Sequence, residues 1–172
     1  MSEPVQQPAD AYDAIRSAVT EDLQGVLLLQ RSISQNVDWS ERVWRQVLDQ
    51  SMHQPSQRCV WLAEATGCVV GYAVASRVLQ VCELEMLAVA PQMRRRGVGR
   101  ALCEAAIKWA QENGVVRMEL EVRASNRAAL QLYDSLQFLQ NGVRTRYYRD
   151  PVEDAVLLAR SLSPEDLRPS KV

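Results

Sequence analysis

The most regular stretch of the chain alternates residue by residue. Val116, Met118, Leu120 and Val122 are apolar, and Arg117, Glu119, Glu121 and Arg123 between them are charged. A period of two sends one set to a buried face and the other to an open one, so Val115 to Arg123 predicts a half-buried strand. Three β-rich runs precede it. Arg58 to Glu64 and Cys68 to Val78 flank Ala65-Thr66-Gly67 and read as a hairpin, and Cys82 to Ala90 adds the third strand of a meander. Pro91 has no N–H for a ladder and ends that strand. Tyr12 to Val19 reads as a first strand, and Phe138 to Arg149 and Ala155 to Ser161 as two last ones.

Helical spacing fills the gaps. Thr20 stands where it can cap a helix over 21–32 with Leu23, Val26, Leu27 and Gln30 on its stripe. After the loop Asn36-Val37-Asp38, Ser40 caps a second helix over 41–52 that buries Val43, Trp44, Val47 and Leu48. Trp39, one residue before that cap, is placed either as a hydrophobic staple or as a residue lining a cleft. Val98 to Asn113 is a third helix with apolar positions 98, 102, 105, 106 and 109, ended by Gly114. Ser125 or Asn126 caps a fourth, to about Gln137, with a stripe of Ala129, Leu132, Tyr133 and Leu136. Residues 1–11, with Pro4 and Pro8, and 163–172 read as tails around a single domain over 12–162. The order β, α, α, meander, α, β, α, β, β predicts an α/β fold: a mixed, mostly antiparallel sheet of about seven strands flanked by four helices.

Composition narrows the function classes. The chain is 47% hydrophobic with a formal charge of −1, against the basic balance of a nucleic-acid binder. Cys59, Cys68, Cys82 and Cys103 form no C-x-x-C pair and His53 is the sole histidine, which is no metal-ligand pattern. Without a second histidine, a Ser-His-Asp or Cys-His hydrolase is excluded unless His53 serves. Residues 1–10 are polar, and no run approaches the roughly 20 apolar residues that span a bilayer. The expectation is a cytoplasmic protein with reduced, mostly buried thiols and no membrane partner.

Four arginines cluster at one turn. Arg94-Arg95-Arg96-Gly97-Val98-Gly99-Arg100 links the meander to the third helix, and the free N–H groups of that helix end, with arginines around them, suit a pyrophosphate. Glycines at 97 and 99 remove Cβ atoms that would keep a ligand off the backbone. Arg100-Ala101 follows where a nucleotide P-loop needs Gly-Lys-Ser/Thr, so that reading fails. A dinucleotide fold needs a third glycine where Leu102 stands, although Glu119 and Glu121 lie near the distance of a ribose-binding acid. The third loop of this kind is Arg/Gln-x-x-Gly-x-Gly/Ala, matched in register by Arg94, Gly97 and Gly99.

That loop is the acyl-CoA loop of the GNAT acetyltransferases, and the chain resembles this family over about residues 12–162. The residues that carry the resemblance include Leu87-Ala88-Val89-Ala90-Pro91, Arg95 to Leu102, Leu120-Glu121-Val122-Arg123-Ala124-Ser125-Asn126, Leu132-Tyr133 and Arg146-Tyr147-Tyr148. Ala129, Ser135-Leu136, Phe138 and Glu153-Asp154-Ala155 keep the family's order, and Trp39-Ser40-Glu41 is similar to an early segment of it. More narrowly, the chain resembles the bacterial ribosomal-protein-alanine N-acetyltransferases. One departure is Gln137, where the family usually has glycine before phenylalanine. A non-glycine residue ending the helix there implies a cost of about 1 kcal/mol or a changed turn.

The resemblance implies acetyl-CoA as co-substrate, no metal, and the N-terminus of a ribosomal protein as acceptor, with a lysine, polyamine or small-molecule amine, or a silent acyl-CoA-binding module, as alternatives. It implies Glu121 as general base and Tyr133 as general acid, against their plain readings as a solvated strand face and a core tyrosine. Leu87, Ala88 and Val89 would meet the pantetheine through the backbone, Val89 N–H polarising the thioester carbonyl. Arg95, Arg96, Gly97, Val98, Gly99 and Arg100 would cradle the pyrophosphate. Asn126 would bind the pantetheine, cap its helix, or both. Glu83 and Glu85 are placed to contact the acceptor amine or share the base role, and Arg146, Tyr147 and Tyr148 to hold an acceptor peptide.

Overall fold

The computed structural model describes residues 12–33 and 39–163. The tails expected over 1–11 and beyond 163 and the loop at 36–38 lie outside the described residues. One sheet contains β1 (Ala14–Ser17), β2 (Arg58–Ala65), β3 (Cys68–Val78), β4 (Val81–Val89), β5 (Arg117–Arg123), β6 (Leu139–Arg149) and β7 (Val152–Ser161). Their order across it is β1-β2-β3-β4-β5-β7-β6. Neighbours run antiparallel except β4 and β5, which are parallel. The helices are α1 (Leu23–Ser32), α2 (Glu41–His53), α3 (Val98–Glu112) and α4 (Arg127–Ser135). The predicted α/β class, with its mixed and mostly antiparallel sheet, is the observed one.

Both faces of the first half of the sheet are covered. Tyr72 of β3 meets Trp44 of α2 edge-on, with ring centroids 5.0 Å apart. Its neighbour Gly71 points the opposite way, where a Cβ would lie 3.0 Å from Leu102 and 3.1 Å from Val98 of α3. A glycine here is what lets α3 lie against β3. The core between these layers includes Val60, Leu62, Ala63, Val74 and Leu102, all fully buried.

Several boundaries differ from the sequence pattern. β1 is shorter than Tyr12 to Val19 because, as an edge, it pairs with β2 only from Ala14 to Ser17. Thr20 caps nothing: Thr20–Asp22 form a 3-10 turn, and Asp22 Oδ2 accepts the Val19 N–H at 2.8 Å. Arg16 fixes that carboxylate, pairing with Asp22 and Glu64 at 2.7 Å each, so the acid rather than the threonine closes this end. In α2 the inward stripe is Trp44, Val47, Leu48 and Ser51, while Val43 is exposed. Ser51 is satisfied there, its Oγ accepting the Val60 N–H at 3.0 Å. In α3 the buried face is wider than read, adding Cys103, Ile107 and Ala110. Val116 is exposed because β5 begins at Arg117, and α4 stops at Ser135 with Ala129 and Leu132 only partly buried.

Other local expectations are met. Ser40 Oγ accepts the Val43 N–H at 3.3 Å, and Trp39 packs on Trp44 at 5.1 Å, which is the hydrophobic staple. Buried Gln30 ties both tryptophans to α1, donating to the Trp39 carbonyl at 2.9 Å and accepting from Trp44 Nε1 at 2.7 Å. Asn126 rather than Ser125 is the α4 cap, its Oδ1 accepting the Ala129 N–H at 3.2 Å. Gln137 keeps the left-handed conformation a glycine would take, φ +64°. No helix among the described residues is long and apolar enough to cross a membrane.

Candidate active site

The site begins with a failure of pairing. β4 and β5 are joined only at Val81–Arg117, Cys82–Met118 and Glu83–Glu119. Beyond these the strands part, and their separated walls enclose a cleft of about 800 Å³. A bulge contributes: the β3–β4 register shifts between Val74 and Ala75, leaving Glu85 as the extra residue where β4 bends away. One wall is Leu84 to Val89; the other is Glu121 to Arg123 and Ser125 to Ala129, with Tyr133 of α4 beside it.

The cleft wall of β4 presents bare backbone. Ala90 N–H bonds the Val70 carbonyl at 2.8 Å, and antiparallel neighbours alternate between bonded and non-bonded pairs. Leu87 and Val89, opposite Ala73 and Gly71, therefore turn their N–H and C=O groups away from β3 toward the cleft. The Val89 carbonyl takes a bond from Arg94 Nε at 3.3 Å. Ala88, between them, is engaged with β3 and only lines the cleft.

Past Pro91 the chain turns into α3. Gly97 precedes the helix with φ +84°, a left-handed conformation that costs glycine little. Gly99 is close to α4, where a Cβ would sit 3.4 Å from Leu132, so its missing side chain serves helix packing as well as any ligand. Arg95 also has positive φ, 63°. Arg94 lines the cleft, whereas Arg95, Arg96, Gly97, Val98, Gly99 and Arg100 do not. Arg100 is turned to α4, bonding Ser135 Oγ at 2.7 Å and pairing with Glu104 at 3.3 Å. Sequence reading had Arg94 in the motif but left it out of the binding set; its reach back to Val89 depends on the turn's geometry, which no spacing reveals.

Tyr133 is buried, its ring against Phe138 at 5.7 Å, and burial pushes its phenol far up. Glu121 faces the other side of the sheet. On that side a second groove of about 360 Å³ runs over Ser76, Val78, Val81, Glu83, Glu119, Asn141, Arg144 and Tyr147. Glu121 is the one described residue that lines both groove and cleft. Its carboxylate pairs with Arg144 at 2.8 Å, and Tyr147, whose phenol is held up by its bond to Glu121, meets the same group.

Glu83 and Glu85 have different surroundings. Burial, then Glu85 and Glu121, push the Glu83 carboxyl up, and no cation pairs with it among the described residues. Glu85 is held by Arg58 at 2.6 Å and by the Ser76 hydroxyl, leaving Oε2 buried without a partner among the described residues. Tyr148 packs under Arg123, 4.0 Å from guanidinium carbon to ring centre, and Arg123 pairs with Glu153 at 3.2 Å. Glu153 in turn accepts the Ser125 N–H, which with Arg123 holds its carboxyl below the usual range. This chain of contacts ties β6 and β7 to the start of α4. Tyr147 faces the groove and Tyr148 the cleft, while Arg146 uses its N–H on Asp154 Oδ1 at 2.7 Å and lines neither. Among the described residues no group of His, Cys, Asp and Glu is arranged to hold a metal ion. Cys59, Cys82 and Cys103 are buried and Cys68 is exposed.

Comparison with known proteins bears on the family and the fold. The chain is 33% identical over 153 residues to the [ribosomal protein bS18]-alanine N-acetyltransferase of Escherichia coli K12, covering 88% of this chain and 99% of that one. It is 40% identical over 102 residues to the N-alpha-acetyltransferase RimI of Mycobacterium tuberculosis, covering 57% and 63%. The crystal structure of the Escherichia coli ribosomal-protein-S18-alanine N-acetyltransferase superposes with a TM-score of 0.76 at 31% identity, over 92% of this chain and 97% of that. The NatC complex bound to Gag peptide and CoA shares the fold, TM-score 0.75 at 23% identity over 87% and 98%. The acetyltransferase (GNAT) family model matches residues 21–138, and the chain belongs to the GNAT acetyltransferases.

Proposed function

We propose that this enzyme acetylates the N-terminal α-amine of a ribosomal protein beginning with alanine, using acetyl-CoA, with Glu121 as general base and Tyr133 as general acid. The observation that carries the reading is the position of Glu121 where the cleft and the groove meet. The relatives' shared activity supplies the acceptor class. A ribosomal acceptor puts the work in the cytoplasm, with no role for nucleic-acid or membrane binding.

The residues of the cleft fit a pantetheine arm. Leu87 and Val89 turn backbone N–H groups toward it, flanking Ala88, and Asn126 has its Nδ2 to offer a ligand while Oδ1 caps α4. At the far end the first N–H groups of α3, from Val98 and Gly99 after Gly97, with Arg95 and Arg96, suit a diphosphate. Arg100 joins them only by leaving Ser135 and Glu104. Acetyl-CoA supplies a thioester carbonyl, an electrophile for an amine.

The chain's own groups do the rest. A peptide α-amine has a pKa of about 7.7–8.0, so a large share is protonated at neutral pH and Glu121 removes that proton. The Val89 N–H is the donor aimed where a carbonyl oxygen would develop charge. Burial keeps Tyr133 protonated throughout the working range but also makes it a weaker acid than a thiol of pKa about 8.5, so its O–H first stabilises the departing thiolate by a hydrogen bond and completes the proton transfer only with help from solvent.

The test is an acetylation assay on peptides beginning with alanine, beside the same peptides with blocked α-amines and a lysine as the sole free amine. Transfer to the free α-amine alone is expected, with Glu121→Gln lowering kcat on the order of 100-fold and Tyr133→Phe on the order of 10-fold or more. Equal transfer to the lysine peptide overturns the acceptor; full activity in Glu121→Gln overturns the base.

A further inference from the structure

The break in β6 has no role in the reaction so far. The β6–β7 register skips between Arg144, opposite Ala155, and Tyr148, opposite Glu153, so four steps on one strand span two on the other. Arg146 in the middle is left-handed, φ +52°, and its N–H is fixed by Asp154 Oδ1 at 2.7 Å. Such an irregularity re-aims side chains. Here it brings Arg144 and Tyr147, with the guanidinium 5.4 Å over the phenol ring, onto one group, the Glu121 carboxylate across β7.

We propose that Arg144 is a positioning residue for catalysis, acting through Glu121: delivered by the β6 bulge, it fixes the carboxylate at the junction of groove and cleft. The inference rests on Glu121 being the base. Glu121 has a like-charged neighbour across the groove in Glu83, which no cation pairs among the described residues, whereas Glu85 and Glu119 are paired with Arg58 and Arg117. Glu83 and Glu85 come from β4 and Glu119 from its own strand, while β6 supplies the guanidinium with the phenols of Tyr147 and Tyr148. The guanidinium is half exposed and the carboxylate mostly covered, so the pair can loosen for an acceptor without unfolding anything.

The experiment is a double-mutant cycle on the full chain, with kcat and both KM values measured for wild type, Arg144→Gln, Arg144→Lys, Glu121→Gln and the double variant Arg144→Gln with Glu121→Gln. Arg144→Gln should lower kcat about 10-fold, leave the acetyl-CoA KM within about 2-fold, and have no further effect in the Glu121→Gln background, because one member of a pair acts only through the other. Arg144→Lys should recover part of the loss. Additive losses, or a wild-type kcat in Arg144→Gln, overturn the positioning role while a slow Glu121→Gln keeps the base reading. A fast Glu121→Gln overturns both. Circular dichroism melting of Arg144→Gln close to wild type assigns any loss to chemistry; a melt lowered by more than about 5 °C, unrestored in Arg144→Lys, counts against the proposal as a structural effect.

Discussion

The two halves of the sheet differ in how far they are covered. From β2 to β4 the strands are sandwiched between α1 and α2 on one face and α3 on the other, and Val60, Leu62, Ala63 and Ala73 to Ala75 are wholly buried. From β5 to β7 the outer strand β6 is exposed along nearly all its length. What orients it includes surface and half-buried contacts such as Arg144–Glu121, Arg123–Glu153 and Tyr148 under Arg123. Packing sets the first half firmly and also buries parts of β5 and β7, at Met118, Leu120, Ala155 and Leu158, so the contrast lies at β6, where each exposed ion pair is worth little. On the proposed reading, the chemistry lies along the seam between the two halves.

The sharpest way to break that contrast is Trp44→Ala. It removes the packing on Trp39 and Tyr72 and leaves the Gln30 amide oxygen without its indole, so unfolding in urea should show a loss of about 3–5 kcal/mol. A loss below about 1 kcal/mol would mean the covered half is not the anchor. Glu121→Gln is the opposite case. Its 100-fold slowing equals about 2.7 kcal/mol at the transition state, yet the same denaturation should place its stability within about 0.5 kcal/mol of wild type. Gln137→Gly relieves a side chain in the left-handed region and should raise stability by about 1 kcal/mol, seen as a higher melting temperature with unchanged kcat.

The smallest effect belongs to Glu83. Its folded pKa is raised by burial and by Glu85 and Glu121, so the folded chain holds that proton more tightly than the unfolded one. The resulting penalty is absent below an unfolded glutamate's pKa, about 4.3, and grows as pH rises from there through the folded value. Glu83→Gln should thus match wild type in acid and exceed it by a few tenths of a kcal/mol at neutral pH, because the carboxyl is only partly covered and solvent screening keeps the gain small. A gain at acid pH instead would reverse the sign.

What could be read from the sequence follows the same division. Local physics wrote itself plainly: the alternation that makes β5, the full length of β3, the Ser40 cap with its Trp39 staple and the Asn126 cap all depend on residues a few positions apart. Gln137 was legible as an oddity and proves to keep the glycine conformation rather than change the turn. Contacts that need strand order were not legible. Arg144 meets Glu121 only because β7 lies between β5 and β6 and the β6 register breaks there. Gly71 gave no motif, since its reason is a helix arriving from 27 to 31 residues later in the chain, at Val98 and Leu102. The arginine run gave the turn but not where each side chain goes: Arg94 reaches the cleft while Arg100 bonds Ser135 on α4.

The parted strands have a consequence for mechanics. Between Leu84 and Val89 the sheet lacks a rung on one side, and an extended molecule bonded to the main chain at residues 87 and 89 would act as a surrogate strand. Amide exchange along β4 and β5 should then slow together when such a guest docks, because the two half-sheets would be stitched into one continuous fabric.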